Sequence, residues 1–292
     1  MHSRLRIRST RAPLVLVILS VLVAGCATVQ QTLQDLTSQR PTARVAGVRL
    51  TDIDLQSVQL VFDVDIQNPY GFDLPLLDVD YALAAYGNGF LEGTTDLQGL
   101  VPAGLHKTIG LPVRVDLVGL VRTVSSVRPG DVVPYDAELG LRVDIPGATP
   151  LRLPLQKSGE LPVPRVPNMR VASLDWSEMS LTRVAGALRV DVDNTNAFPF
   201  ELSTLRYDLQ LGGTRVAQGA TRQALQLDPA QSGTLRIPLD FAPAELGIAL
   251  VNVLARERVD YAFSGSLSID TPFGRIELPF AESGAAPSER AP

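Results

Sequence analysis

Cysteine and histidine are almost missing from this chain. Its 292 residues hold one cysteine, Cys26, and two histidines, His2 and His106. Zinc fingers, disulfide frameworks and most histidine-based catalysis are thereby excluded, since each needs several of these side chains together. Lysine is as scarce, with Lys107 and Lys157 alone, so the basic charge is nearly all arginine. Aromatic residues make up 5%, thin for a platform that stacks bases or sugars. The formal net charge is −5, against a protein that holds nucleic acid through its phosphates. What is present is 45% hydrophobic residues with 20% charged, the balance of a chain that folds around a core.

The N-terminus reads as an address. Arg4, Arg6, Arg8 and Arg11 form a positive region with no acid among them, and the twelve residues Pro13 to Ala24 follow as an apolar stretch. That stretch is too short for an ordinary membrane-spanning helix and suits a signal peptide. It ends in Val23-Ala24-Gly25-Cys26, which resembles the lipobox of bacterial lipoproteins. The resemblance implies cleavage before Cys26 and acylation of its sulfur and amine. Residues 1–25 are then the signal and 26–41 a lipidated tether, in which Val29, Leu33 and Leu36 fit one short amphipathic helix. Ala27 and Thr28, with no aspartate beside Cys26, imply by proteobacterial sorting rules the outer membrane, facing the periplasm. Removing four arginines takes the net charge to about −9. Such a body does not adhere to anionic lipid, so the acyl chains carry the anchoring.

The remainder is one unit written twice. Val64 falls on Val190, a shift of 126 residues, and the same shift pairs Asp65 with Asp191, Asn68 with Asn194 and Phe72 with Phe198. Tyr81 falls on Tyr207, Gly93 on Gly219, Tyr135 on Tyr261 and Pro146 on Pro272. A self-match held over this length marks two homologous domains, at 42–160 and 168–284. Leu161 to Pro167, with three prolines, is an extended spacer. Residues 285–292 are small and polar and read as a disordered tail.

Within each unit the dominant period is two. Phe62, Val64 and Ile66 alternate with Asp63, Asp65 and Gln67, as a half-buried strand requires. Leu117, Leu120, Val121, Val124 and Val127 break the pattern at helical spacing, with Asp116 as N-cap and Pro129-Gly130 as stop. Leu246, Ala249, Leu250 and Val253 do the same after Pro243. The expected class is all-β: two tandem antiparallel β-sandwiches, immunoglobulin- or fibronectin-III-like, each with one helix packed against it.

The strand ending Asn68-Pro69-Tyr70, then Tyr81, Gly93, Ile109 to Val113, a helix, and the closing Pro272-Phe273-Gly274 and Leu278-Pro279-Phe280 form one ordered set. This set resembles the late embryogenesis abundant group 2 family, also called the water-stress and hypersensitive-response domain. The second unit departs from it by replacing the proline after Asn194 with Thr195. The resemblance implies a folded β-sandwich, an association with desiccation and osmotic stress, and no known catalysis.

Few residues suggest chemistry. Asp63 with Asp65 and Asp191 with Asp193 place carboxylates on one strand face, but neither pair continues as a calcium loop. They are read as solvated strand faces, with no metal and no cofactor. Asn68 and Asn194 are read as turn formers that bond their own backbone and accept left-handed geometry. No nucleophile elbow or phosphate loop occurs. Trp176, Tyr70, Phe72, Tyr86 and Phe90 are weighed as a sugar-stacking set and assigned to packing instead. The expected protein is therefore a non-enzymatic lipoprotein acting in water stress. Its partners would be the membrane through acylated Cys26 and possible lipids or client proteins. A lipid-shuttling module, with the helix as lid, and a periplasmic scaffold are the alternatives. The oligomeric state is left open.

Overall fold

The computed structural model describes residues 40–290 except 248; the signal, the lipobox Val23-Ala24-Gly25, Cys26 and most of the tether lie outside the described residues. The first unit runs β1 (Thr42–Thr51), β2 (Ser57–Gln67), β3 (Leu74–Ala85), β4 (Asn88–Asp96), β5 (Leu100–Val101), β6 (His106–Asp116), α1 (Leu117–Thr123), β7 (Val132–Val143) and β8 (Leu151–Pro162). β1, β2 and β6 form one antiparallel sheet; β4, β3, β7 and β8 form another, with β5 on β3. Alternation decides which face meets the core: Phe62, Val64 and Ile66 are fully buried, while Asp63 and Asp65 between them stay half-exposed. Val79, Leu83, Leu139 and Leu141 from the second sheet enter the same core.

The second unit repeats this order as β9 (Asn168–Met179), β10 (Val184–Asp193), β11 (Phe200–Leu211), β12 (Thr214–Thr221), β13 (Leu225–Leu227), β14 (Ser232–Phe241), α2 (Pro243–Leu246), α3 (Ala249–Leu254), β15 (Arg258–Thr271) and β16 (Gly274–Arg290). Each element follows its counterpart at the shift found in the sequence. The chain is all-β, with short helices.

Three expectations need correction. The helix beginning at Leu117 ends at Thr123, because Val124 turns extended and closes the last turn with its own N–H. Asp116 does cap it, accepting from Val118 N at 3.0 Å. The second unit has two short helices rather than one, parted at Gly247, whose φ of 109° no right-handed helix contains. The tail is also ordered as far as Arg290. β16 runs on past Gly284, pairing Ala285–Pro287 with β15 and Ser288–Arg290 in parallel with β9. This last pairing joins the two sheets of the second unit into one of eight strands. In the first unit Val163-Pro164-Arg165 occupies the corresponding place. Pro164 has no N–H to offer a ladder there, and the chain leaves as the spacer.

A tyrosine stands across from a glycine four times: Tyr81–Gly93, Tyr207–Gly219, Tyr135–Gly159 and Tyr261–Gly284 are register partners. The ring covers the backbone that the glycine leaves bare. The fit differs between pairs. A Cβ on Gly93 would lie 2.5 Å from the Tyr81 hydroxyl, whereas one on Gly219 would meet Tyr207 at an ordinary 3.6 Å. Gly93→Ala is therefore expected to cost about 1 kcal/mol in urea unfolding, while Gly219→Ala is neutral or stabilising. Equal effects at the two sites would refute the ring-over-glycine account.

Candidate functional site

The two strand faces that carry the paired aspartates are occupied by arginine. Arg44 bonds Asp65 at 2.5 Å and Arg170 bonds Asp191 at 2.8 Å. Thr108 and Thr234 donate to the other oxygen of these same carboxylates, at 2.6 and 3.0 Å. Asp63 takes a two-pronged contact from Arg49, both bonds 2.8 Å. The second unit keeps this last pair with its charges exchanged, Asp175 against Arg189. Asp80 with Arg152 likewise becomes Arg206 with Glu277. Among the described residues no group of three or more histidine, cysteine or acidic side chains is placed to hold a metal.

The hydrogen bonds from Arg49, Arg152, Arg183 and Arg275 hold the carboxyls of Asp63, Asp80, Asp240 and Asp270 below their ordinary range. A carboxyl with a depressed folded pKa contributes stability above its unfolded pKa and loses it as pH falls through the folded value. Stability in urea is thus expected to decline as pH drops below about 4, and added salt should shrink this contribution. A urea midpoint that held constant down to about pH 2 would contradict it.

The organised polar feature of each unit is an asparagine. Asn68 is 1% exposed. Its Nδ2 donates to the carbonyls of Phe72, Val101 and Pro102 at 2.8, 2.9 and 3.1 Å, and its Oδ1 accepts from Tyr70 N at 3.0 Å. Asn194 repeats the set: Nδ2 to Phe198, Leu227 and Asp228 at 3.0, 3.1 and 3.1 Å, and Oδ1 from Asn196 N at 2.9 Å. The backbone N–H groups of Asn68 and Asn194 reach the carbonyls of Leu105 and Gln231. One side chain thus ties the end of a strand to two loops. Neither asparagine has positive φ, so the left-handed geometry that asparagine tolerates is not used here: the amide's four bonds do the work. Pro69 stands outside this network, which Thr195 explains by replacing it without loss of a bond.

In the second unit this pinned end seats on the first. Asn196 exchanges two bonds with the backbone of Arg165 in the spacer, at 2.8 and 3.0 Å, and Ala197 N donates to Gly130 O at 2.7 Å. Gly130 has φ 103°, and a Cβ there would lie 2.9 Å from the Thr195 carbonyl. Gly274, at φ 122° in the β15–β16 turn, comes close to Ile53 of the first unit. Tyr70 holds the place of Asn196 in the first unit and stacks on Phe72 instead, ring centres 4.9 Å apart.

The aromatic set does not converge. Trp176 and Tyr70 are buried, Tyr86 is exposed, and Phe198 packs edge-on against Phe273. His106 is exposed at the start of β6, opposite Gln67. α1 presses Leu117 and Leu120 into the core at 1% exposure, and the groove on its outer side, between Val118, Val121 and Pro129, encloses only about 200 Å³. No helix among the described residues is long and apolar enough to cross a membrane. The Asn68 and Asn194 networks lay half-visible in the sequence as a repeated Asn; the exchanged ion pairs did not.

A doubled sandwich with asparagine-pinned ends is the class these observations define. The chain belongs to the late embryogenesis abundant protein family, which it matches at residues 63–159 and again at 189–284. It is 29% identical over 126 residues to the late embryogenesis abundant protein Lea14-A of Gossypium hirsutum, covering 43% of this chain and 83% of that protein. It is 26% identical over 130 residues to the desiccation protectant protein Lea14 homolog of Glycine max, covering 44% and 86%. A solution structure of a protein from Arabidopsis thaliana aligns with 24% identity and a TM-score of 0.37, over 44% of this chain and 84% of that one.

Proposed function

We propose that this protein is a non-enzymatic, acyl-anchored protein of the bacterial envelope that acts in water stress, as a spacer that keeps envelope or client surfaces apart while water is withdrawn. The observation that carries the reading is the match of both units to a family whose relatives are named for desiccation. The lipobox at Val23 to Cys26 supplies the anchor, by resemblance to bacterial lipoproteins. The body suits drying for a physical reason. Eleven ion pairs lie among the described residues, with arginine as the cation in every one. Exposed pairs are worth little in bulk water. As water leaves, the effective dielectric falls and the same pairs strengthen. A fold held this way stiffens as its surroundings dry.

The test is survival of a deletion strain through drying and osmotic shock, complemented by the wild type or by Cys26→Ser. The expected result is rescue by the wild type alone, with the Cys26→Ser protein moved from the membrane to the soluble fraction. Unchanged survival of the deletion strain would remove the stress role. Unchanged fractionation of Cys26→Ser would remove the anchor.

A further inference from the structure

Both units present the same end, built from three loops; among the described residues one loop of the second unit's end is seated on the first unit, while its other two stay exposed. There the Asn194–Ala197 loop seats on Gly130 and Arg165. The first unit's equivalent end consists of Asn68–Asp73, Pro102–Leu105 and Ile145–Pro150. These loops carry one charge, Asp73, and its carboxylate is turned onto the N–H of Ala103. Leu105 is 55% exposed and Leu100 39% exposed. The second unit has Gln231 and Gln226 at the matching positions. Leucine thus stands in the first unit where the second has glutamine, at positions open to solvent in both. The loop is also rigid: Leu105 N donates to Pro102 O, its carbonyl accepts from Asn68 N, and Lys107 Nζ donates to Leu100 O. An exposed leucine on a pinned turn is held out to solvent without a core to turn into.

The chain enters the protein at this same end. Thr42, Gln67 and His106 lie side by side in the register of β1, β2 and β6. Burial pushes the Tyr70 phenol up, and the positive charge of Arg40 opposes it. Thirteen residues lie between Cys26 and Arg40, a reach of at most about 50 Å. We propose that this end of the first unit rests on the bilayer, with Leu105 and Leu100 entering the headgroup–acyl boundary and the second unit pointing away from it. The proposal builds on the acyl-anchor reading above. An acidic body is held off anionic lipid, so the occupant is a neutral, zwitterionic surface. The three loops themselves offer such a surface one charge, Asp73, to desolvate, with the cations Lys107 and Arg40 beside them.

The full chain, acylated in its host and reconstituted into phosphatidylcholine vesicles containing brominated lipid, tests this. The wild type has one tryptophan, Trp176, buried in the second unit, and its emission should not respond to the bromine. Leu105→Trp adds an indole at the tip. It should be blue-shifted and strongly quenched, while flotation of the vesicles carries the protein with them. A floating protein whose Leu105→Trp emission is unquenched overturns the proposal and leaves the anchor standing. A protein that does not float overturns the anchor, and the proposal with it. A blue shift that arises without lipid and grows with protein concentration assigns the tip to a second copy of the chain, and also overturns it. The weak vesicle binding left to the Cys26→Ser chain, insufficient to hold it in the membrane fraction, should fall about tenfold with Leu100→Gln and Leu105→Gln, which copy the second unit and so preserve folding. Unchanged binding of that variant counts against the proposal as well.

Discussion

Asn194→Ala is expected to lower the melting midpoint of the second unit by about 10 °C, the shift that a loss of about 3 kcal/mol produces in a domain of this size. The estimate follows from what the amide leaves behind. Three carbonyls lose a donor and Asn196 N loses its acceptor, around a side chain that is 1% exposed. Water does not easily replace the amide at such a site, so most of the loss is uncompensated. Asn68→Ala removes an equivalent set and should cost the first unit a similar amount. The two variants differ in reach. Asn194 positions the Asn196 backbone, and Asn196 holds the spacer, so Asn194→Ala should also loosen the joint between the units. Small-angle scattering would show a broader shape distribution for that variant and not for Asn68→Ala. Asn194→Asp sharpens the test. A carboxylate would face three carbonyl oxygens, which raises its pKa, because only the protonated form can donate. With its folded pKa raised, that variant should gain stability as pH falls from about 7 to about 5. A variant as stable as the wild type across that range would show that the side chain is not the tie described here.

Much of this architecture was legible because it rests on short-range rules stated twice. The alternation of Phe62, Val64 and Ile66 reports a strand by itself, and its echo at Leu188, Val190 and Val192 reports a repeat. Asp116 before Leu117 is a helix start that needs no tertiary context. The helix ends were harder. Val124 and Val127 keep the apolar spacing of α1, yet they are buried by the loop after it rather than by more helix. In the second unit the spacing of Leu246 and Leu250 hid the break at Gly247, since periodicity does not register a single φ. The exchanged ion pairs were invisible for another reason. Arg49 against Asp175 and Asp63 against Arg189 each score as a mismatch when the units are aligned. Only the pair of mismatches, two positions apart across adjacent strands, preserves the interaction. The exposed end illustrates the same point: Leu105 for Gln231 is an unremarkable difference until the structure shows the leucine held out to solvent on a hydrogen-bonded turn.

The tail was misread because Ala285-Ala286-Pro287-Ser288-Glu289-Arg290 has neither period nor bulk, and its role comes from where the preceding strand delivers it. β16 carries it across the open side of the second sandwich. Ala286 is fully buried there. Ser288 joins three elements: its N–H donates to Glu257 O, its hydroxyl donates to Leu254 O, and it accepts from Trp176 Nε1, all at 2.9 Å. A chain ending at Gly284 should therefore lose more than a disordered tail could account for. The hydrogen bonds given up, set against the entropy regained by the freed residues, amount to about 2–4 kcal/mol. Trp176 reports the change directly. It is the only tryptophan, and it is 2% exposed while the tail covers it. Truncation should shift its emission to the red, open it to quenching by iodide, and lower the urea midpoint of the second unit while leaving the first unchanged. Ser288→Ala, which keeps the strand and removes only the hydroxyl, should show the smaller part of the same loss, about 1 kcal/mol. If both variants unfolded with the wild type and left Trp176 shielded, the tail would be an appendage after all, and the second sandwich would close without it.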